Sequence, residues 1–161
     1  MRFAPLAWLP PGVVGLAKEV GRHILRRPVV GIAMAARTED GRWVLIRRGD
    51  TGTWALPGGT LEWGETLEAA LGRELAEEAG VLTWRMERVV GVYSRPDRDP
   101  RFHAVTVVVD VRVGEPQRPP MNPLEITEVG VFADDQVPTP LAMGMTDFLA
   151  AARRSDPTAL E

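Results

Sequence analysis

Residues 59–81 read GTLEWGETLEAALGRELAEEAGV, and from Thr66 to Gly80 they carry the most leucine- and alanine-rich helical pattern in the chain. The pattern predicts a helix over 66–80 that closes at Gly80. At about 3.6 residues per turn, Glu74, Glu77 and Glu78 fall within roughly a third of its circumference. One and two turns back, the same stripe carries Leu67, Ala70 and Leu71. A solvated face would set the acids opposite the leucines. Here the carboxylates continue the inward stripe, where they repel one another and lose water, so that one should take up a proton unless a counter-charge is near. A hard divalent cation, Mg²⁺ or Mn²⁺, is such a charge; it takes oxygen ligands and accepts phosphate oxygens beside them. Arg73 is placed to pair with Glu65 or Glu77, holding the helix to the loop before it.

Outward from this helix, VVGIAMAA after Pro28 and WVLIRR at 43–48 read as strands, joined by a hairpin at Asp40-Gly41. GDTGTW reads as loop. WRMERVVGVYS is a further strand, SRPDRDPR a loop, and HAVTVVVDVRV a strand whose valines recur at every second position, the pattern of one buried face. EPQRPPMNP is loop, EITEVGVFA the expected last strand, and LAMGMTDFLAAARR a C-terminal helix. The order predicts an α+β fold, a mixed sheet with helices on both sides.

The chain has 161 residues, enough for one domain with a sizeable core. The expected organisation is an N-terminal arm over residues 1–27, a domain over 28–154 and a flexible tail over 155–161. The arm has apolar residues at Val13, Leu16, Val20 and Ile24 and packs on its own domain or on a second copy, giving a homodimer; His23 is a packing or surface residue. A net charge of −3 from mixed signs gives no basic surface for DNA. With no cysteine there are no disulfides or thiolate metal sites, and a cytoplasmic location is expected. Prolines 5, 10 and 11 and charges at 18 and 19 break the apolar N-terminus, so no membrane span is expected.

From Gly59 the residues match the Nudix box, G-x5-E-x7-R-E-U-x-E-E-x-G-U with U aliphatic, at every specified position: Gly59, Glu65, Arg73, Glu74, Leu75, Glu77, Glu78, Gly80 and Val81. The preceding TWALPGG also resembles the lead-in to that box. The resemblance implies the Nudix fold, an α/β/α sandwich, and hydrolysis of a phosphoanhydride in a nucleoside diphosphate linked to a further group. It implies that Glu74, Glu77 and Glu78, with the carbonyl of Gly59, hold Mg²⁺. Gly58 and Gly59 let the backbone approach the metal, and Arg73, Glu65 and Gly80 have structural roles in the motif. The family draws its general base from the helix or from a later loop or strand; Glu74, Glu125 and Glu128 are the candidates.

Substrate choice lies outside the box. Pro96, about fifteen residues past it, and the following DRDPR resemble the ADP-ribose pyrophosphatase and nucleoside diphosphate sugar hydrolase subgroup, although Phe102 stands where that subgroup often has glycine. Arg95, Arg98 and Arg101 offer forked donors to phosphate or ribose, while Asp97 and Asp99 are placed to hold them. Arg47 and Arg48 alternate on a strand, so only one faces the cleft. Trp54 is expected to pack beneath its loop; Tyr93 and Phe102 have either a core or a base-stacking role. The expected substrate is a nucleotide, ADP-ribose or a related nucleoside diphosphate sugar. The alternatives are a triphosphate pyrophosphohydrolase, a capped-RNA or dinucleoside polyphosphate hydrolase, and a non-catalytic binding module.

Overall fold

Strands β1 (Val29–Thr38) and β2 (Trp43–Arg48) form the expected hairpin, turned by Asp40-Gly41 with the Thr38 amide donating to Arg42 O at 2.9 Å. The structure, a computed structural model, describes residues 20–21, 27–99, 101–154 and 157–161. The expected N-terminal arm, with His23 and its dimer contact, lies outside them except at Val20, Gly21 and Arg27. After β3 (Trp54–Ala55) come α1 (Leu67–Glu78), β4 (Trp84–Tyr93), β5 (Ala104–Val113), β6 (Ile126–Phe132), α2 (Met145–Arg154) and β7 (Ala159–Leu160). The sheet runs β3-β2-β1-β5-β4-β7, with β6 added to β2. β1 pairs with β5 in parallel along its whole length, and β4 with β7 in parallel; the remaining pairs are antiparallel, so the sheet is mixed.

The helices lie on opposite faces of this sheet. Ala104 and Thr106 of β5 share a cleft with Met145 and Phe148 of α2, whereas Val107 and Val109 share a groove with Leu67 and Leu71 of α1. Successive strand side chains point to opposite faces, so the central strands are covered twice. This corrects the one-sided reading of β5: Val108, Val109, Asp110 and Val111 are all buried. Asp110 tolerates burial because Arg37 Nη2 donates to it at 2.8 Å.

α1 begins where Thr66 Oγ1 accepts from the Ala69 amide at 3.2 Å and ends at Gly80, whose φ of +65° allows the Val81 amide to reach Leu75 O at 3.0 Å. Three expected elements differ. The GDTGTW loop ends in a short strand, because Trp54 and Ala55 pair with Arg47 and Ile46. The C-terminal helix starts at Met145, because Met143 (φ 51°) and Gly144 (φ 69°) break the preceding single turn from it. β6 is not the last strand: β7 follows it and pairs with Gly91 and Val92, and Thr158 Oγ1 donates to Val89 O at 3.0 Å.

Candidate active site

The backbone of residues 57–61 runs along β1 as an extra, irregular strand. The amides of Met34 and Ile32 donate to Pro57 O and Gly59 O at 2.8 and 2.9 Å, and the Leu61 amide to Val30 O at 2.9 Å. Gly58 fits only because it has no side chain: a Cβ there would stand 2.8 Å from Ala33 Cα and collide with Ile32 O. A Cβ on Gly59 would strike the Glu74 carboxylate. The pair of glycines thus lies between the sheet and α1, directly against the acids.

Glu74 and Glu78 are 8% and 9% exposed. Glu78 Oε2 accepts from the Gly58 amide at 2.8 Å, and Glu74 Oε1 accepts from Arg73 Nη1 at 2.9 Å. Arg73 also donates to both oxygens of Glu65, at 2.9 and 3.0 Å, and to Thr60 O at 3.2 Å, stitching the helix to the preceding loop. Glu65 and Glu74 hold Arg73 firmly in its charged form, and Arg73 in turn pulls the Glu65 carboxyl below its usual range. Burial pushes Glu78 up to about 8, and the neighbouring charges of Glu74 and Glu125 act in the same direction against the Gly58 amide. Burial raises Glu74 as well, opposed by Arg73.

Glu77 departs from the expected stripe. Its side chain is 44% exposed and lies 3.5 Å from Arg73 Nη1. The inward face of α1 centres on Leu71, Leu75 and Glu78, so Glu77 falls on its far flank. Among the described residues, the acids are not gathered into a cluster of three that could hold a metal ion. The donor chemistry of the pair nevertheless fits a hard divalent cation: two buried carboxylates, both favouring protonation through loss of water, are relieved by positive charge on their oxygens.

These groups open onto a cleft of about 280 Å³. One wall carries Gly58, Gly59, Glu74 and Glu78; another carries Arg95, Arg98 and Arg101 with Tyr93, Phe102 and Phe148; Arg48 and Glu125 also line it. Each arginine is already matched to acid. Arg95 donates twice to Asp97 at 3.0 and 2.5 Å, and Arg101 twice to Asp99 at 3.0 and 2.8 Å. Arg98 donates to Glu161 at 2.9 and 2.5 Å and to Asp147 at 3.4 Å, with its guanidinium stacked 5.2 Å over Tyr93 and 5.0 Å over Phe148. Phe102, which replaces the expected glycine, lies under Arg101 at 5.1 Å. Trp54 packs edge-on to Phe132 at 4.9 Å, away from any base-stacking role.

Strand parity separates the remaining residues. Arg48 lines the cleft and pairs with Asp50 at 2.9 and 2.6 Å. Arg47 and Glu128, partners in register, meet each other at 3.3 Å on exposed surface, and neither lines the cleft. Glu125 does, and its backbone carbonyl accepts from the Gly49 amide at 2.7 Å. Phe148 and Met143, which line the cleft beside the arginines, and Glu161, which pairs with Arg98, carry no motif that marks them in the sequence.

A family model for the NUDIX domain matches residues 25–152. An ADP-ribose pyrophosphatase from Methanocaldococcus jannaschii is 45% identical over 82 residues, covering 48% of this chain and 48% of that protein. An RNA pyrophosphohydrolase from Acinetobacter baylyi is 38% identical over 85 residues, covering 46% of this chain and 50% of that protein. The chain spans about half the length of these curated relatives. A solved structure of an ADP-ribose pyrophosphatase from Streptococcus suis, 26% identical, superposes with a TM-score of 0.67 and covers 84% of this chain and 100% of that one. The family match takes in the glycine pair, α1 and strands β1 to β6, and the chain belongs to the Nudix domain family.

Proposed function

We propose that this protein hydrolyses the diphosphate of ADP-ribose or a related nucleoside diphosphate sugar, giving a nucleoside monophosphate and a sugar phosphate. The observation that carries this reading is the contrast across the cleft. The acidic wall suits a cation that neutralises a diphosphate, while every arginine on the opposite wall is balanced by a carboxylate. Such a wall can offer N–H donors to ribose hydroxyls and one phosphate without presenting the net positive charge that a triphosphate chain calls for. Two of the relatives named above are ADP-ribose pyrophosphatases, which supports the same direction.

Glu74 and Glu78 would hold Mg²⁺ or Mn²⁺, with Glu77 and the lone pair of Gly59 O not used by the Ile32 amide as further ligands; the bound ion would supply charge neutralisation at the diphosphate and a lowered pKa for water. Water adds to one phosphorus as its bond to the bridging oxygen breaks, and each product keeps one phosphate. We assign Glu125 as the group that accepts the water's proton, because it lines the cleft whereas Glu128 is turned away to Arg47. Arg73 holds Glu74 and the loop in place. A homodimer through the N-terminal arm and a cytoplasmic location belong to the same proposal. Deleting residues 1–27 should reduce the number of chains per particle from two to one; an unchanged number would reject the arm as the dimer contact.

The test is product analysis with Mg²⁺ on a panel of ADP-ribose, other nucleoside diphosphate sugars, nucleoside triphosphates, dinucleoside polyphosphates and 5′-triphosphorylated RNA. AMP and ribose phosphate from ADP-ribose, formed faster than any other product, is the expected result. Faster release from a triphosphate or from RNA would reassign the arginine wall, and turnover of nothing would favour a binding module.

A further inference from the structure

The arginine wall is anchored by a piece of chain far from the box in sequence, residues 158–161. β7 lies parallel to the end of β4, with Ala159 opposite Gly91 and Leu160 opposite Val92. Beyond β7 the Glu161 amide donates to Val92 O at 3.0 Å, and Ser94 Oγ donates to Glu161 O at 2.8 Å. The Glu161 side chain then reaches the loop itself: Oε1 accepts from Arg98 Nη2 at 2.5 Å, and Oε2 accepts from Arg98 Nε at 2.9 Å and from the Arg95 amide at 3.3 Å. Only 23% of that side chain is exposed, and only 15% of Arg98. Gly91 leaves the room for this docking, since a Cβ there would stand 2.9 Å from Ala159 Cβ.

We propose that Glu161 is a positioning residue for the substrate, fixing Arg98 and the backbone at Ser94 and Arg95 in the recognition wall of the cleft. It rests on the reading of this cleft as the nucleotide site. A guanidinium donates only in its own plane, and here the rings of Tyr93 and Phe148 lie side by side against it on one side. A carboxylate that receives two parallel N–H groups fixes the orientation of that plane. Without it, the remaining partner of Arg98 is Asp147, at 3.4 Å and 70% exposed, and the Arg95 amide loses its side-chain acceptor. Glu161 does not line the cleft and lies apart from Glu74 and Glu78, so its loss should weaken substrate binding and leave the chemical step alone.

The experiment measures kcat, KM and thermal stability for wild type, Glu161→Ala, Glu161→Asp, Gly91→Val, Arg98→Ala and the Arg98→Ala/Glu161→Ala pair, on ADP-ribose and on the panel substrate hydrolysed fastest. The expected result is a KM raised about tenfold in Glu161→Ala with kcat within about twofold, partial recovery in Glu161→Asp, and a much smaller further rise when Glu161→Ala is added to Arg98→Ala, where only the Arg95 amide contact remains to be lost. Gly91→Val should raise KM by displacing β7; if it fails to fold, the Glu161 variants decide. A KM for Glu161→Ala within twofold of wild type, whatever its melting temperature, or an equal rise in the Arg98→Ala background, would overturn the proposal. Failure of wild type on ADP-ribose alone removes the substrate reading and leaves this comparison to the fastest substrate; failure on the whole panel removes both.

Discussion

The two walls of the cleft are built in opposite ways. The glutamate wall comes from one continuous stretch, residues 58–78, in which the loop, the helix and their tie through Arg73 are near neighbours in sequence. The arginine wall is assembled from three distant pieces: the loop after β4, the start of α2 and the segment around β7. Its ion pairs lie mostly between partly exposed groups, whereas Glu74 and Glu78 are buried. One wall is set by burial and can govern the chemistry; the other is set by matched surface charges and can govern what is recognised.

That division is testable, beginning where the largest effect is expected. Glu78→Gln should lower kcat by more than about a hundredfold, beyond the roughly 10- to 100-fold that follows loss of a group merely supporting a ligand, while circular dichroism stays native. Near wild-type turnover would show that the glutamate wall is not the chemical one. Arg73→Ala should lower activity by roughly 10- to 100-fold as a supporting group. It should also destabilise the protein by about 2 kcal/mol, less than a fully buried pair because Arg73 is 24% exposed. A melting curve that does not move would separate the two effects.

The same buried acids predict a pH signature in protein stripped of divalent metal. Glu78 binds its proton more tightly when folded, with a pKa of about 8 against an ordinary value of 4.5. Its contribution to stability is therefore complete below the lower value and lost as pH rises through the higher one. The melting temperature of the metal-free protein should fall between about pH 5 and pH 8, and Glu78→Gln should flatten that slope. Added Mg²⁺ should flatten it too, by favouring the ionised form. A slope unchanged in Glu78→Gln would place the titrating group elsewhere. The smallest effects should come from the paired substitutions Arg48→Ala and Arg47→Ala. The first should raise KM about fivefold and the second less than about twofold, because only Arg48 lines the cleft. Equal effects would erase the distinction drawn by strand parity.

The sequence was legible where one element carries its own evidence. The spacing of α1 marks both the helix and the inward acids, because burial of Leu71 and Leu75 orients the whole element. It put Glu77 on the inward stripe as well, where the structure does not: Glu77 lies on the flank of that stripe, half exposed and drawn to Arg73. Alternation in WVLIRR shows that Arg47 and Arg48 diverge but not which one turns inward; that depends on β6, which brings Glu128 to Arg47. The valine ladder of β5 conceals its second buried face because Thr106 and Asp110 read as solvent-facing, and the partner that buries Asp110 is Arg37 on another strand. β7 left almost no trace: its pairing uses backbone groups and a missing side chain at Gly91.

Residues 57–61 carry the glycine pair, and their bonds to β1 are of ordinary sheet length. A reaction that cuts one substrate into two phosphorylated halves must also let both escape. The glutamate side is laced into the middle of the sheet and has little freedom to swing. On the proposed reaction the exit would therefore fall to the opposite side, where an exposed side-chain pair such as Arg95–Asp97 can part and re-form on its own.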